Sequence, residues 1–240
     1  MTAAGRGAPP EPPRQFLKYT FYHLRPEWRR IPPPERARGR ADLLRVLESP
    51  PEGMMLRTYS TVGTRAEVDF GLWMMAPELP EIQEFHARVA GSALGGYLDI
   101  GYSFLGMAKR SEYLGALANP FPPEEEARRP RDRPYLFVYP FAKQRSWYAL
   151  PFEERRRIMG EHFRIGHKYP GVAIHTGYSF GLDDMEFVLS FEADSPADFL
   201  DLVTDLRPTE ASRFTALETP ILTCLRASPA RMLELAEGRP

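Results

Sequence analysis

The run Tyr135-Leu-Phe-Val-Tyr-Pro-Phe141 decides the fold of this chain, because its residues are apolar at odd and at even positions. Successive side chains of a strand point to opposite faces of a sheet, so the run predicts a strand that is buried on both faces. Hydrophobic spacing then predicts a helix at 152–168, strands at 172–180 and 186–192, a helix at 196–206 and a strand at 219–225. The second half of the chain is therefore expected to fold as β-α-β-β-α-β.

The first half repeats this order, with strands predicted at 16–24, 55–62, 68–75 and 99–108 and helices at 33–47 and 79–93. Residues echo between the halves at one offset of 119 positions, which relates Trp28 to Trp147 (147 − 28) and Tyr59 to Tyr178 (178 − 59). We therefore expect an α+β fold of two ferredoxin-like βαββαβ units in one chain, a dimeric α/β barrel with its sheets packed face to face.

Proline-rich stretches predict where the chain divides. Residues 1–14 are expected to be a disordered tail, residues 15–112 the N-terminal unit, and residues 113–133 a linker rich in proline and charge. Residues 134–226 are expected to form the C-terminal unit, and residues 227–240 a C-terminal tail.

Composition excludes several classes of function. A net charge of -1 over 240 residues gives no electrostatic basis for binding nucleic acid. The single cysteine, Cys224, excludes an internal disulfide and a structural zinc site. The chain has no apolar run of about 18 residues and no signal-peptide core at its N-terminus, so we expect a cytoplasmic protein without a membrane span. The arginines at 155–157 are expected to form a solvated helix face.

One histidine of the predicted helix at 152–168 points inward. At helical spacing Met159, His162 and Gly166 share a face, so the imidazole of His162 belongs to an otherwise apolar stripe. Such a residue is either a hydrogen-bonded core histidine or a ligand, and the spacing leaves both open. His167 lies about 140° further around the helix axis. We therefore interpret His167 as a surface residue at the end of the helix.

Taken together, several motifs of the second half resemble the chlorite dismutase superfamily, and within it the coproheme decarboxylase branch. The first half resembles the family only as a paired ferredoxin-like unit. The motifs are Tyr139-Pro-Phe-Ala-Lys143, Trp147-Tyr148, Leu150-Pro-Phe-Glu-Glu-Arg-Arg156, Glu161-His162, Gly166-His-Lys-Tyr169, Gly181-Leu-Asp-Asp-Met-Glu-Phe187 and Leu206-Arg-Pro-Thr-Glu-Ala-Ser212.

The resemblance implies that the C-terminal unit binds an iron porphyrin, either haem b or iron-coproporphyrin III. It implies that His162 is the proximal iron ligand and that Glu210 hydrogen-bonds the other nitrogen of its ring. Tyr139 resembles the tyrosine that becomes a radical and attacks a propionate. The groups that resemble propionate anchors are Lys143, Arg207 and Ser212, whose cationic and hydroxyl chemistry suits carboxylates. A homopentamer is implied as well.

The implied function is the oxidative decarboxylation of iron-coproporphyrin III to haem b, with the porphyrin and hydrogen peroxide as small-molecule partners. The chain departs from the family on the distal side, where chlorite dismutases carry an arginine. One alignment gap puts Ile174 at that position and another puts His175 there, and residues 120–133 lack the distal histidine of the actinobacterial decarboxylases. A haem b peroxidase or weak chlorite dismutase, and a non-catalytic haem carrier, remain the alternatives.

Overall fold

The structure is a computed structural model that describes residues 14–109, 113 and 130–239. Most of the predicted N-terminal tail (1–14) and of the predicted linker (113–133) lies outside the described residues. Within the described ranges, no helix combines the length and the apolar composition that crossing a membrane requires.

Strands and helices alternate in both halves of the chain. Residues 14–109 form β1 (Phe16–Leu24), α1 (Pro33–Leu47), β2 (Met55–Ser60), β3 (Phe70–Ala76), α2 (Leu79–Gly91) and β4 (Leu98–Ala108), with 3-10 helices at Pro26–Arg30 and Gly95–Tyr97. Residues 130–239 form β5 (Tyr135–Lys143), α3 (Arg145–Ala149), α4 (Phe152–Gly166), β6 (Val172–Tyr178), β7 (Phe187–Ala193), α5 (Pro196–Leu206), a 3-10 helix (Glu210–Phe214), β8 (Thr215–Leu217), β9 (Leu222–Arg226) and α6 (Pro229–Ala236).

The bounds of β1 and α1, shifted by 119 residues, are those of β5 and α4, as the offset predicts. One predicted boundary differs in a way that the sequence explains. The strand expected at 219–225 begins only at Leu222. Pro220 precedes it and has no N–H to donate to a ladder.

Antiparallel pairing orders the strands β4-β1-β3-β2 in the first half and β6-β7-β5-β9 in the second. The halves pair with each other at both edges, β2 with β9 and β4 with β6, so these strands form a closed ring. The two sheets face each other across an interior that is filled by side chains of both halves. The sheets join edge to edge, which pairs edge strands that separate sheets would leave open.

Apolar side chains pack both inside and outside this ring. The interior holds residues of both halves, among them Tyr19, Trp73, Val138 and Leu222. The outer face of the first-half sheet is covered by α1, α2 and α6 with a dense core that includes Trp28. The outer face of the second-half sheet carries smaller clusters beside α4 and α5.

The predicted C-terminal tail at 227–240 contains a helix that belongs to the first-half core. Ser228 caps α6 by accepting a hydrogen bond from the N–H of Arg231. Met232 and Leu233 are buried on the first-half core. After the helix, Glu237 accepts a hydrogen bond from Nε1 of Trp28 at 2.8 Å. The segment predicted as a C-terminal tail therefore packs against the first half of the chain.

Candidate functional site

A cavity of about 1190 Å³ lies mainly against the outer face of the second-half sheet, with α4 and α5 on its other side, and it also reaches Leu17, Met55 and Met75 of the first half. Its volume exceeds the roughly 300–1,000 Å³ that is common for small-molecule sites. The cavity brings together most of the site residues predicted from the sequence, namely Tyr139, Lys143, His162, Ile174, Arg207 and Ser212.

His162 lines this cavity from α4. The helix begins after Pro151 and carries Glu153 and Glu154 in its first turn, where carboxylates suit the positive end of the helix dipole. Met159, one turn before His162, lines the same cavity. Burial and the nearby charge of Lys143 lower the pKa of His162 to about 4. The imidazole is therefore neutral at pH 7 and has a lone pair that can ligate a metal.

His167 lies at the end of the same helix, as expected. It is the C-cap residue of α4, and its side chain is exposed. Its Nδ1 lies 2.5 Å from the carbonyl oxygen of Phe163 in the preceding turn. The side chain of His162 thus lines the cavity, whereas that of His167 is exposed on the surface.

Tyr139 faces the cavity from the middle of β5. Its ring stacks on that of Phe191 in β7, with 5.8 Å between centroids and 10° between planes. The side chain lies in the apolar cluster on the outer face of the second-half sheet. Burial raises the pKa of Tyr139, so the phenol keeps its hydrogen at neutral pH.

Lys143 ends the same strand, four residues further along. Its Nζ donates to the carbonyl oxygen of Ala211 at 2.7 Å and lies 5.0 Å from the ring centroid of Trp147. Burial lowers the pKa of Lys143 to about 8, against the opposing effect of Glu218 and Glu186. At pH 7 the amine of Lys143 is therefore still charged in most molecules. Because the side chain is largely buried, water competes little for this charge.

Arg207 and Ser212 approach the cavity from the segment after α5. Arg207 is paired with Glu218, and both side chains line the cavity. Ser212 belongs to the 3-10 helix at Glu210–Phe214, and its N–H donates to the carbonyl oxygen of Thr209 at 3.2 Å. These positions suit the anchoring of carboxylates at one side of the cavity.

Glu210 begins that 3-10 helix but does not line the cavity with the other predicted residues. Its Oε2 accepts a hydrogen bond from Nη2 of Arg157 at 2.7 Å, and its side chain is 38% exposed. Among the contacts of the described residues, Glu210 therefore pairs with Arg157, and the expected hydrogen bond to His162 is not present.

Ile174 and His175 lie on opposite faces of β6. Ile174 is 47% exposed and lines the cavity, as one of the two alignments predicts. His175 also borders the cavity, but only 4% of its side chain is exposed and its Nε2 is hydrogen-bonded to Glu192 at 2.8 Å. Of the two candidates for the distal position, Ile174 is therefore the one whose side chain is open to the cavity.

Sequence reasoning missed several polar residues of the cavity wall. Arg155 lines the cavity, which corrects its assignment to a solvated helix face. Arg156 pairs with Glu153 and Arg157 pairs with Glu154, as that assignment expects. A signal was available, because Arg155 precedes His162 by seven residues and so shares its helix face. Other missed residues of the wall include Lys109, Tyr113, Tyr148 and Glu218.

The chemistry of the wall fits an iron porphyrin with several carboxylates. Four cationic side chains and one carboxylate are found among the described residues of the wall, namely Lys109, Lys143, Arg155, Arg207 and Glu218. Within the described ranges, no group of three or more His, Cys, Asp or Glu side chains is placed to hold a bare metal ion. A metal at His162 thus needs other ligands, which a porphyrin supplies through its ring nitrogens.

The chain is similar to proteins of known family over most of its length. The chlorite dismutase family model matches residues 36–227. The coproheme decarboxylase of Mycolicibacterium smegmatis is 32% identical over 210 residues, which cover 85% of this chain and 89% of that protein.

Solved structures agree in fold. A mutant chlorite dismutase from Candidatus Nitrospira defluvii superposes with a TM-score of 0.84 at 25% identity, covering 93% of this chain and 95% of that one. A haem-binding protein from Thermus thermophilus superposes with a TM-score of 0.83 at 25% identity and the same coverage. The cavity, its neutral histidine and these matches lead to one assignment: the chain belongs to the chlorite dismutase family.

Proposed function

We propose that this protein catalyses the peroxide-dependent oxidative decarboxylation of iron-coproporphyrin III to haem b. One observation carries the proposal: a single large cavity combines the neutral imidazole of His162, the phenol of Tyr139 and an excess of cationic side chains. The resemblance to a coproheme decarboxylase supports it. The proposal includes a dimeric α/β barrel of two ferredoxin-like units, a homopentamer and a cytoplasmic location.

Each residue has a defined task in this reaction. When bound, the iron porphyrin supplies the oxidising equivalents of hydrogen peroxide next to its own propionates. His162 binds the iron through its neutral ring. Lys143, Arg207 and Ser212 hold carboxylates and so fix how the ring is turned in the cavity. Tyr139 gives up its phenolic hydrogen and then takes a hydrogen atom from the propionate that lies against it.

The reaction balances with one peroxide for each propionate. A propionate arm that becomes a vinyl group loses carbon dioxide, one proton and two electrons. Hydrogen peroxide takes up two electrons and two protons and gives two molecules of water. Conversion to haem b therefore consumes two peroxides, and the hydrogen atom that Tyr139 takes from each propionate restores its phenol.

The distal residue favours decarboxylation over chlorite chemistry. Ile174 places an apolar side chain where a guanidinium would be needed to hold an oxyanion. Ile174 also supports a second candidate function, a haem-binding protein that does no chemistry, because it contributes no acid or base on that side. The mass of the bound porphyrin after addition of peroxide distinguishes the two functions.

Purified protein is mixed with iron-coproporphyrin III, hydrogen peroxide is added in steps, and the mass of the porphyrin is followed. We expect two successive losses of mass, each corresponding to one carbon dioxide and two hydrogen atoms. Tyr139→Phe should bind the porphyrin and stop the losses. Tyr148→Phe is the matched control, because it removes another cavity hydroxyl, one that is held by Glu186 at 2.6 Å. Tight binding by the unchanged protein without loss of mass would rule out the decarboxylase and support the haem-binding alternative.

A further inference from the structure

Hydrogen peroxide is the second substrate of the proposed reaction, and the roles above give it no binding group. Neutral peroxide needs a base, because one oxygen must lose its proton and the other must gain one before it leaves as water. The bound iron porphyrin supplies the two electrons that this cleavage consumes. A group that accepts a proton and returns it is therefore expected in the cavity.

Among the described residues of the cavity wall, His175 is the base that remains. The imidazoles of this wall are His162 and His175, and its carboxylate is Glu218. His162 is the proposed iron ligand, and Glu218 is paired with Arg207. Charged lysines and arginines have no lone pair with which to accept a proton. Imidazole is also the side chain that most readily takes up and returns a proton near neutral pH.

A buried carboxylate fixes the tautomer of His175. Its Nε2 lies 2.8 Å from Oε2 of Glu192, whose pKa of about 2 keeps it ionised despite its burial. An ionised carboxylate only accepts hydrogen bonds, so Nε2 carries the hydrogen and Nδ1 holds the lone pair. Arg57 already balances the charge of Glu192, with Nη1 at 2.6 Å, so the imidazole bonds it as a neutral ring. No described residue hydrogen-bonds Nδ1, which leaves this lone pair available.

His175 lies where the cavity reaches into the ring of strands. The centroid of its imidazole is 5.1 Å from that of Trp73, a residue of the interior cluster. Met55 and Met75 pack against the same cluster, pair directly across β2 and β3, and line the cavity. In such apolar surroundings a small polar molecule is held by the few hydrogen bonds that it makes, and Nδ1 of His175 offers one.

We propose that His175 is the base of a peroxide-binding subsite on the inner side of the cavity, and that Glu192 positions it. Nδ1 accepts the proton of one peroxide oxygen and gives it to the other oxygen, which leaves as water. Glu192 stays ionised and stabilises the imidazolium that forms in between. This inference rests on the proposed function. His175 supplies the acid and base that its neighbour Ile174 lacks.

The state of the ring is tested in the apo-protein, labelled with nitrogen-15 at histidine. Magnetic resonance correlations between ring hydrogens and ring nitrogens should show a neutral His175 at pH 7, with its hydrogen on Nε2 and a lone pair on Nδ1. His175→Gln, which lacks these signals, assigns them. A hydrogen on Nδ1, alone or together with one on Nε2, overturns the inference, because the ring then cannot accept a proton there.

The second measurement is the rate of peroxide consumption by the porphyrin-loaded protein. His175→Gln keeps an N–H for Glu192 but loses the basic nitrogen, so this rate should fall about a hundredfold or more, a usual contribution of a general base. With a peroxyacid, whose O–H is far more acidic, the same variant should lose less than about tenfold. His167→Gln, at the surface, is the matched control and should keep both rates.

Thermal unfolding and porphyrin titration should show that His175→Gln is folded and loaded, and His175→Asn replaces it if it is not. Equal losses with both oxidants would assign His175 a structural role and overturn the inference, as would an unchanged rate with peroxide. If the porphyrin still loses mass at the full rate in His175→Gln, the base fails and the proposed function stands. If peroxide consumption depends on His175 but the mass never changes, the proposed function fails alone. An unchanged protein that consumes no peroxide overturns both.

Discussion

His175 and Glu192 lie side by side inside the ring of strands, with Nε2 of the imidazole 2.8 Å from Oε2 of the carboxylate. Glu192 also accepts hydrogen bonds from Nη1 of Arg57 and from the N–H of Arg131, both at 2.6 Å. Burial acts to raise the pKa of Glu192, but the bonds from His175 and Arg131 and the charge of Arg57 outweigh it and hold the pKa at about 2. An ionised carboxylate in the core thus ties both halves of the chain together.

Glu192→Gln should lower the free energy of unfolding by about 3 kcal/mol, because it removes the buried counter-charge of Arg57 and leaves only the exposed carboxylate of Asp132 at 4.0 Å. Urea denaturation at pH 7 measures this loss. Glu153→Gln, which breaks the exposed pair with Arg156, is the control and should cost less than about 1 kcal/mol. A loss as small as that of the control would show that the buried network contributes little to stability.

His162→Ala should abolish the binding of iron porphyrins, whereas His167→Ala should leave it unchanged. The two histidines belong to one helix, but only His162 lines the cavity. Titration of each apo-protein with haem b, followed by absorbance, gives the comparison. Equal affinities for the two variants would mean that the iron is held elsewhere.

The affinity for iron-coproporphyrin III should fall as pH rises from 7 to 9.5. The pKa of Lys143 is about 8, so this cation loses its charge within that window, while the carboxylates of the porphyrin keep theirs. Lys143→Arg should bind with little dependence on pH, since a guanidinium stays charged. Dissociation constants measured at several pH values provide the check. A parallel fall in both proteins would assign the effect to another group.

Leu43→Ala should cost about 2–5 kcal/mol of stability, whereas Met159→Ala should cost much less. Leu43 is fully buried in the first-half core, and Met159 borders the cavity. Leu43 stands 119 residues before His162, so the comparison contrasts the corresponding helices of the two halves. Thermal or urea unfolding of the apo-proteins measures both changes. Similar losses would indicate that the cavity side of α4 is as tightly packed as α1.

The same two helices show why one half of a repeated chain holds the cavity. In the first half, Leu43 and Leu47 of α1 pack against Trp28 in a continuous core. In the second half, the corresponding face of α4 carries Arg155, Met159 and His162 and borders an open volume. At the offset of 119 residues, Leu43 and His162 occupy equivalent places in the two helices.

Local sequence patterns predicted most of the helices and strands and the repeat, and the resemblance to a family supplied the residues of the candidate site. Apolar alternation in β5 and the 3.6-residue period of α4 are local properties, so the element bounds and the inward direction of His162 follow from neighbouring residues alone.

Three features depend on contacts between distant parts of the chain: the closure of the ring, the place of α6 and the partners of the charged residues. The pairing of β2 with β9, and of Glu237 with Trp28, joins residues far apart in the chain. Likewise, Glu210 pairs with Arg157, which lies 53 residues earlier in the chain. Such contacts depend on how elements distant in the sequence pack, and no local pattern encodes them.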